Sequence, residues 1–173
     1  MRRSVANNLN DISKDNPDTV IKLVKSWQGK TAETDWVIKH ACRTLLKQGD
    51  LNVLKLFGFG SVENIKINNF KTITPKVKIG TFLEFTFELR STNSSASKIR
   101  LEYGLYYQKA NATLKKKVFK ISEKVVPKNS TTIIYRKQSF KIIATRKFYL
   151  GKHQLSIIIN GKEFKKIDFE LIK

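Results

Sequence analysis

Side chains able to do chemistry are scarce in this sequence. Cys42 is its only cysteine, and His40 and His153 are its only histidines. No Ser-His-Asp spacing, HExxH, P-loop or GxGxxG occurs. A metal site would need more ligands than any cluster here offers, so neither a metal nor a cofactor is expected. A single cysteine forms no intrachain disulfide and fits a reducing compartment, the cytoplasm. His40, alone on a helix, reads as structural, and His153 as a residue satisfying a corner hydrogen bond at the start of a strand. Positive charge is what the chain has in quantity. It carries 34 Lys and Arg against 14 Asp and Glu, a formal charge of +20. That excess points to a polyanionic partner, most often nucleic acid. A compositional reading competes, because 27 of the basic residues are Lys, in a chain also rich in Asn, Ile and Phe.

Three stretches place basic residues beside other nucleic-acid-binding types. In "RRSVANNLNDISKD" (2–15), Arg3, Asn7, Asn10 and Asp11 recur at helical spacing, so they share a face next to Arg2 and Asn8. On a nucleic-acid-facing surface, Arg binds phosphate, Asn donates to sugar or phosphate oxygens, and Asp11 adds a negative charge. A solvated helix face with internal contacts explains the same residues. Val5, Leu9 and Ile12 are assigned to the core side. In "LKKKVFK" (114–120), Lys115 and Lys117 sit in an alternating strand, either on a binding face or protecting a solvated edge. In "TRKFY" (145–149), Arg146 and Lys147 adjoin two aromatic residues in an expected loop.

The elements that must position these residues change period near residue 60. "DTVIKLVKSW" (18–27) sets Val20, Leu23, Val24 and Trp27 on one helical face, behind an Asn16 cap and Pro17. A helix over 34–50, capped by Thr34 and stopped at Gly49, and a short apolar helix over 51–60 follow. Beyond residue 60 the period is two. Seven strands are expected, at 62–72, 82–90, 98–108, 115–125, 131–143, 153–160 and 163–172, with a type I′ hairpin at Asn160-Gly161. That count suggests an immunoglobulin-like antiparallel β-sandwich, with a partly open barrel as the other solution. Tyr149, just before the penultimate strand, suggests a tyrosine-corner analogue. Residues 1–60 have a net charge of +4 and residues 61–173 one of +16. The expected fold class is α+β in two parts, a short HEAT-like helical repeat segment (1–60) followed by a basic immunoglobulin-like sandwich (61–173). No apolar run approaches the roughly 18 residues of a membrane span, and no apolar signal core opens the chain.

"RRSVANNLNDISKDNPDTVIKLVKSWQG", with "DWVIKHACRTLLKQGDLNVLKLFGFG", resembles the C-terminal HEAT-like repeats of bacterial DNA alkylation repair proteins, the alkylpurine DNA glycosylases of the AlkC/AlkD group. A basic immunoglobulin-like domain after the repeats resembles the AlkC branch. The resemblance implies a glycosylase that removes N3- or N7-alkylated purines from double-stranded DNA without metal or cofactor, acting as a monomer in the cytoplasm and without flipping the lesion into a pocket. It gives Asp11 as the candidate catalytic carboxylate and Arg2, Arg3, Lys39 and Arg43 as candidate phosphate contacts, with capping of the neighbouring repeat as the other role for Arg43, in "KHACRTL". It also implies several further repeats upstream. This chain then corresponds to the last portion, as a fragment, a truncated reading frame or a derived binding module. The alternative is a non-enzymatic module binding a protein or an acidic polymer.

Overall fold

The computed structural model describes residues 1–144 and 147–173. It divides into two compact units, Met1–Gly60 and Ser61–Lys173.

The first unit contains α1 (Arg2–Asp15), α2 (Pro17–Trp27), α3 (Ala32–Ala41), α4 (Arg43–Gln48) and α5 (Leu51–Leu56). Pro17 opens α2, where its missing N–H costs nothing and its fixed φ suits the helix. The expected helix over 34–50 is instead two. It begins earlier, because Thr31 and not Thr34 is the cap, its hydroxyl accepting from the Thr34 N–H at 3.1 Å. It breaks at Cys42, and Gly49 ends α4 with φ of 78°. Asp50 caps α5 by accepting from the Val53 N–H at 2.9 Å. Val20, Val24, Ile38, Cys42, Leu46 and Val53 form the core of this unit.

The face that α1 buries differs from the expected one. Ala6, Asn10 and Ser13 are buried, whereas Val5 is 40 % and Ile12 38 % exposed. The small residues Ala6 and Ser13 let neighbouring helices approach closely. The polar groups between them are satisfied: Ser13 Oγ donates to Asn10 O at 2.8 Å, and the Asn10 side chain bonds to Thr44.

The second unit is a two-sheet sandwich. One sheet has the order β1 (Ile65–Thr72), β3 (Phe82–Ser91), β6 (Thr131–Ser139), all antiparallel. The other runs β2 (Lys76–Lys78), β8 (Lys162–Ile172), β7 (Gly151–Ile159), β4 (Ser97–Gln108), β5 (Leu114–Val126). Leu83, Phe85, Phe87 and Leu89 of β3 face Leu101, Leu105, Leu155 and Ile157 in one core, as the alternation required. Among the described residues there are eight strands where seven were expected. β2, three residues pairing parallel to β8, is too short for its period to be read. The strand expected over 131–143 stops at Ser139, and Phe140 turns into the core, fully buried. Asn160 and Gly161 have φ of 46° and 77°, as a type I′ turn demands. No described helix is long and apolar enough to cross a membrane.

Candidate nucleic-acid interface

At 100° per residue, α1 has three distinct sides around its buried Ala6–Asn10–Ser13 strip. One flank carries Arg3, Asn7, Asp11 and Lys14; the other carries Arg2, Leu9, Val5 and Ile12. Asn8 lies with Ser4 and Asp15 on the side opposite the buried strip. The stripe read from the sequence therefore survives without Asn10, which is 2 % exposed and takes a structural role. Asn8 is exposed but points away from the stripe.

α3 and α4 complete the polar flank. Asn7 Oδ1 accepts from Arg43 Nη1 at 3.1 Å and lies 3.3 Å from His40 Nε2. Arg43 Nη1 also donates to the His40 carbonyl at 3.3 Å. Trp36, 48 % exposed, stacks on His40 with ring centroids 5.1 Å apart and planes 7° from parallel. The sequence pointed to neither Trp36 nor His40 as part of this surface. The signal that would have found them is their i, i+4 spacing, with Arg43 a turn further on. Burial, together with Arg43 and Arg3 nearby, holds the His40 pKa below its usual value, so the ring is neutral at pH 7. Lys39 is half-buried in the last turn of α3. Arg2 stands on the apolar flank, 3.7 Å from Glu33 in a largely solvated pair worth little.

Asp11 is exposed and paired with Lys14 at 2.6 Å. The hydrogen bond and charge of Lys14, then the more distant Arg43, lower its pKa. It is an anion at neutral pH. It can stabilise positive charge that develops beside it, but it is no proton donor. Cys42 is fully buried, and desolvation pushes its thiol up to about 11, so it is no nucleophile. Among the described residues, no group of three His, Cys, Asp or Glu side chains could hold a metal ion.

In the sandwich, β5 is an edge strand, and its register with β4 decides which lysines point where. Lys115 lies opposite Tyr107, and Lys117 opposite Leu105. Both therefore share the side of the sheet that carries the buried Leu105, whereas Lys116 is on the outer side with Tyr106. There Glu163 Oε1 accepts from Tyr106 Oη (2.6 Å), Ser156 Oγ (2.5 Å) and Lys116 Nζ (3.1 Å). Lys115, Lys117 and Lys147 line a single cavity with His153. Arg146 lies outside the described residues. His153 is the third residue of β7, and its Nδ1 lies 3.0 Å from the Gly151 carbonyl. Tyr149, expected to make a corner bond, instead lines this cavity with Lys147 Nζ 5.4 Å from its ring.

The profile of the family described as "Uncharacterised protein YhaZ, C-terminal Ig-like domain" matches residues 66–173. The uncharacterized protein YhaZ of Bacillus subtilis (strain 168) is 44% identical over 171 residues, covering 99% of this chain and 47% of that protein. Among solved structures, the Pseudomonas fluorescens alkylpurine DNA glycosylase AlkC, bound to DNA containing an abasic site analog, superposes with a TM-score of 0.94 at 33% identity. That match covers 99% of this chain and 48% of AlkC. The β-glucosidase of Listeria innocua in complex with glucose reaches 0.51 at 9% identity over 63% of this chain and 16% of its own, a likeness of fold alone. The chain thus spans about half the length of the relatives that match all of it. The resemblance to the AlkC-like glycosylases seen in the helical motifs extends to the backbone of nearly the whole chain. By its β-sandwich, the chain belongs to the YhaZ C-terminal Ig-like domain family.

Proposed function

We propose that this chain is the C-terminal part of a DNA alkylation-repair glycosylase, that it grips double-stranded DNA, and that it supplies one carboxylate to the hydrolysis of the N-glycosidic bond of N3- or N7-alkylated purines. The observation that carries this reading is the TM-score of 0.94 at 33% identity with a DNA-bound glycosylase. The charge of +20 supports it. In this reading the five helices are the end of a HEAT-like array, and the stripe of exposed Val5 and Ile12 with half-buried Leu9 packs against a preceding repeat. The protein works as a monomer in the cytoplasm.

An alkylated purine already carries positive charge and leaves readily. Its departure builds positive charge on the sugar, which an ionised carboxylate stabilises, as in glycoside hydrolysis. Asp11 meets the electrostatic requirement, since Lys14 and Arg43 keep it ionised. Arg3, Lys39 and Arg43 hold phosphates on one side of it, with Asn7 orienting Arg43. Arg2, at the end of the apolar flank, and Asn8, on the side opposite the buried strip, add weaker contacts. Lys115, Lys117 and Lys147, with Arg146 next to Lys147 in sequence, supply the grip of the sandwich.

The test is fluorescence anisotropy of a labelled duplex titrated with the full chain between about 50 and 200 mM salt. The affinity should fall with a log–log slope of about −0.9 per phosphate contact and show little preference for sequence. No binding at low salt refutes the grip. In a protein of the relatives' length carrying this chain, Asp11→Asn should abolish release of 3-methyladenine while DNA binding persists. Unchanged release removes Asp11 from the chemistry.

A further inference from the structure

The cavity shared by Lys115, Lys117 and Lys147 has a chemistry more specific than grip on a phosphate backbone. It encloses about 380 Å³ between the end of β4, the start of β5, the segment before β7 and His153, within the size range of small-molecule sites. Lys109 and Lys116 also line it, the latter with its amine paired to Glu163 at 3.1 Å, and no Asp or Glu is among the described lining residues. A phosphodiester brings one negative charge to such a place. A phosphate monoester brings about −1.5 to −2 at neutral pH and three strong acceptors, and matches several lysines better. Aromatic rings stand among the lysines: Tyr107, Phe148 and Tyr149 all line the space. Such rings stack on bases with little sequence preference.

His153 sets the third requirement. Its side chain is fully buried, and among the described residues Nε2 has no hydrogen-bond partner. Because Nδ1 faces a carbonyl, the Gly151 oxygen at 3.0 Å, the hydrogen of the neutral ring sits on Nδ1. Nε2 is then a lone pair without a donor, in an environment where unmet polar groups are costly. A ligand that presents an N–H or O–H there would meet that need. Gly151 keeps the neighbourhood open. Its φ is +112°, and a Cβ at this position would come 2.8 Å from Oε1 of Gln108, which also lines the cavity.

We propose that this cavity is a site for a nucleoside monophosphate unit, with its phosphate on the lysines, its sugar or base against the aromatic rings, and one of its N–H or O–H groups donating to His153 Nε2. Two sources share that chemistry, a free mononucleotide and the phosphorylated end of a DNA strand. The second source rests on the reading of the chain as a DNA-binding protein; the first does not.

The test uses the full chain, with isothermal titration and long-range ¹H–¹⁵N spectra of the histidine rings. The ligands are 5′-dAMP, deoxyadenosine, inorganic phosphate, a 5′-phosphorylated single strand and a duplex lacking terminal phosphates. The expected result is that dAMP, the phosphorylated strand or both bind and shift His153 Nε2 while Nδ1 stays protonated. The exposed Lys115→Gln/Lys117→Gln pair should weaken that binding about tenfold or more. Tighter binding of the strand identifies a DNA end as the source, and equal binding identifies the free nucleotide. Inorganic phosphate binding as tightly as dAMP, or dAMP and the strand both leaving His153 unmoved, overturns the proposal. If the unphosphorylated duplex fails to bind while dAMP moves His153, the DNA-grip reading falls and the nucleotide site stands. Duplex binding with His153 unmoved by every ligand has the opposite meaning.

Discussion

Replacing Asn10 with Ala should cost the helical unit more than replacing any exposed apolar residue of α1. Asn10 Oδ1 accepts from the Thr44 N–H at 3.2 Å and from Thr44 Oγ1 at 2.9 Å. Thr44 is the second residue of α4, whose own cap position, Cys42, offers no side-chain bond. Asn10 therefore caps α4 from another helix, 34 residues away. Loss of a helix cap costs about 1 kcal/mol. A donor left unmet in a half-buried place adds at least about 1 kcal/mol. The expected loss is about 2 kcal/mol, and about 3–9 kcal/mol is the whole stability a 60-residue unit commonly has. Trp27 and Trp36, the only tryptophans, both lie in this unit. Urea denaturation followed by tryptophan fluorescence consequently reports it selectively. Ile12→Ser, at a site 38 % exposed, serves as the comparison and should cost under about 1 kcal/mol. If Asn10→Ala falls within about 0.5 kcal/mol of the parent, or Ile12→Ser costs more than it does, the capping argument is wrong.

Gly104→Ala should destabilise the sandwich by about 1–3 kcal/mol, because a Cβ there would meet Ser156 Oγ at 2.6 Å and Lys116 Cε at 2.9 Å and would disturb the Glu163 network; a denaturation midpoint by circular dichroism equal to that of the parent contradicts this. Stability should also fall on mild acidification. Burial lowers the pKa of His153, and burial with Arg43 and Arg3 lowers that of His40. Below about pH 6.5 the unfolded chain takes up protons that the folded rings refuse, so stability present above that pH is lost until the folded rings titrate. Urea midpoints at pH 7.5 and 5.5 should show the loss, smaller in His153→Phe, and a midpoint that rises on acidification refutes it.

The sandwich was largely legible because its side chains obey a local rule. In "FLEFTFELR" every second residue is apolar, and Leu83, Phe85, Phe87 and Leu89 are the ones buried. The Asn160-Gly161 turn needs only the φ preferences of two residues. What the sequence misassigned depends on partners far along the chain. Hydrophobicity placed Val5, Leu9 and Ile12 inside, yet α1 buries Ala6, Asn10 and Ser13, since small side chains permit close approach and Thr44 supplies the donors that Asn10 needs. The inward direction of Lys115 and Lys117 is likewise a matter of register. The β4–β5 ladder shifts by one residue between Leu101 and Glu102, and such a shift decides which lysines face which side.

These partners change what the asparagines of α1 are for. Asn10 is spent on α4. Asn7 is engaged by Arg43 Nη1 and lies beside His40, so its carbonyl oxygen serves the protein before any ligand. Arg43, in turn, uses only Nη1 in its bonds to Asn7 and the His40 carbonyl. A guanidinium carries five N–H donors in a rigid fork, so fixing one nitrogen orients the rest without consuming them. Asn7 is therefore better understood as the residue that aims Arg43 than as a phosphate contact itself. Its replacement by Ala should leave the charge of the surface intact while loosening that aim. A weakened duplex affinity with an unchanged salt slope is the expected signature, because the slope counts phosphate contacts and not their geometry. A slope shallower by about one contact would instead mean that Asn7 had been holding Arg43 on its phosphate altogether.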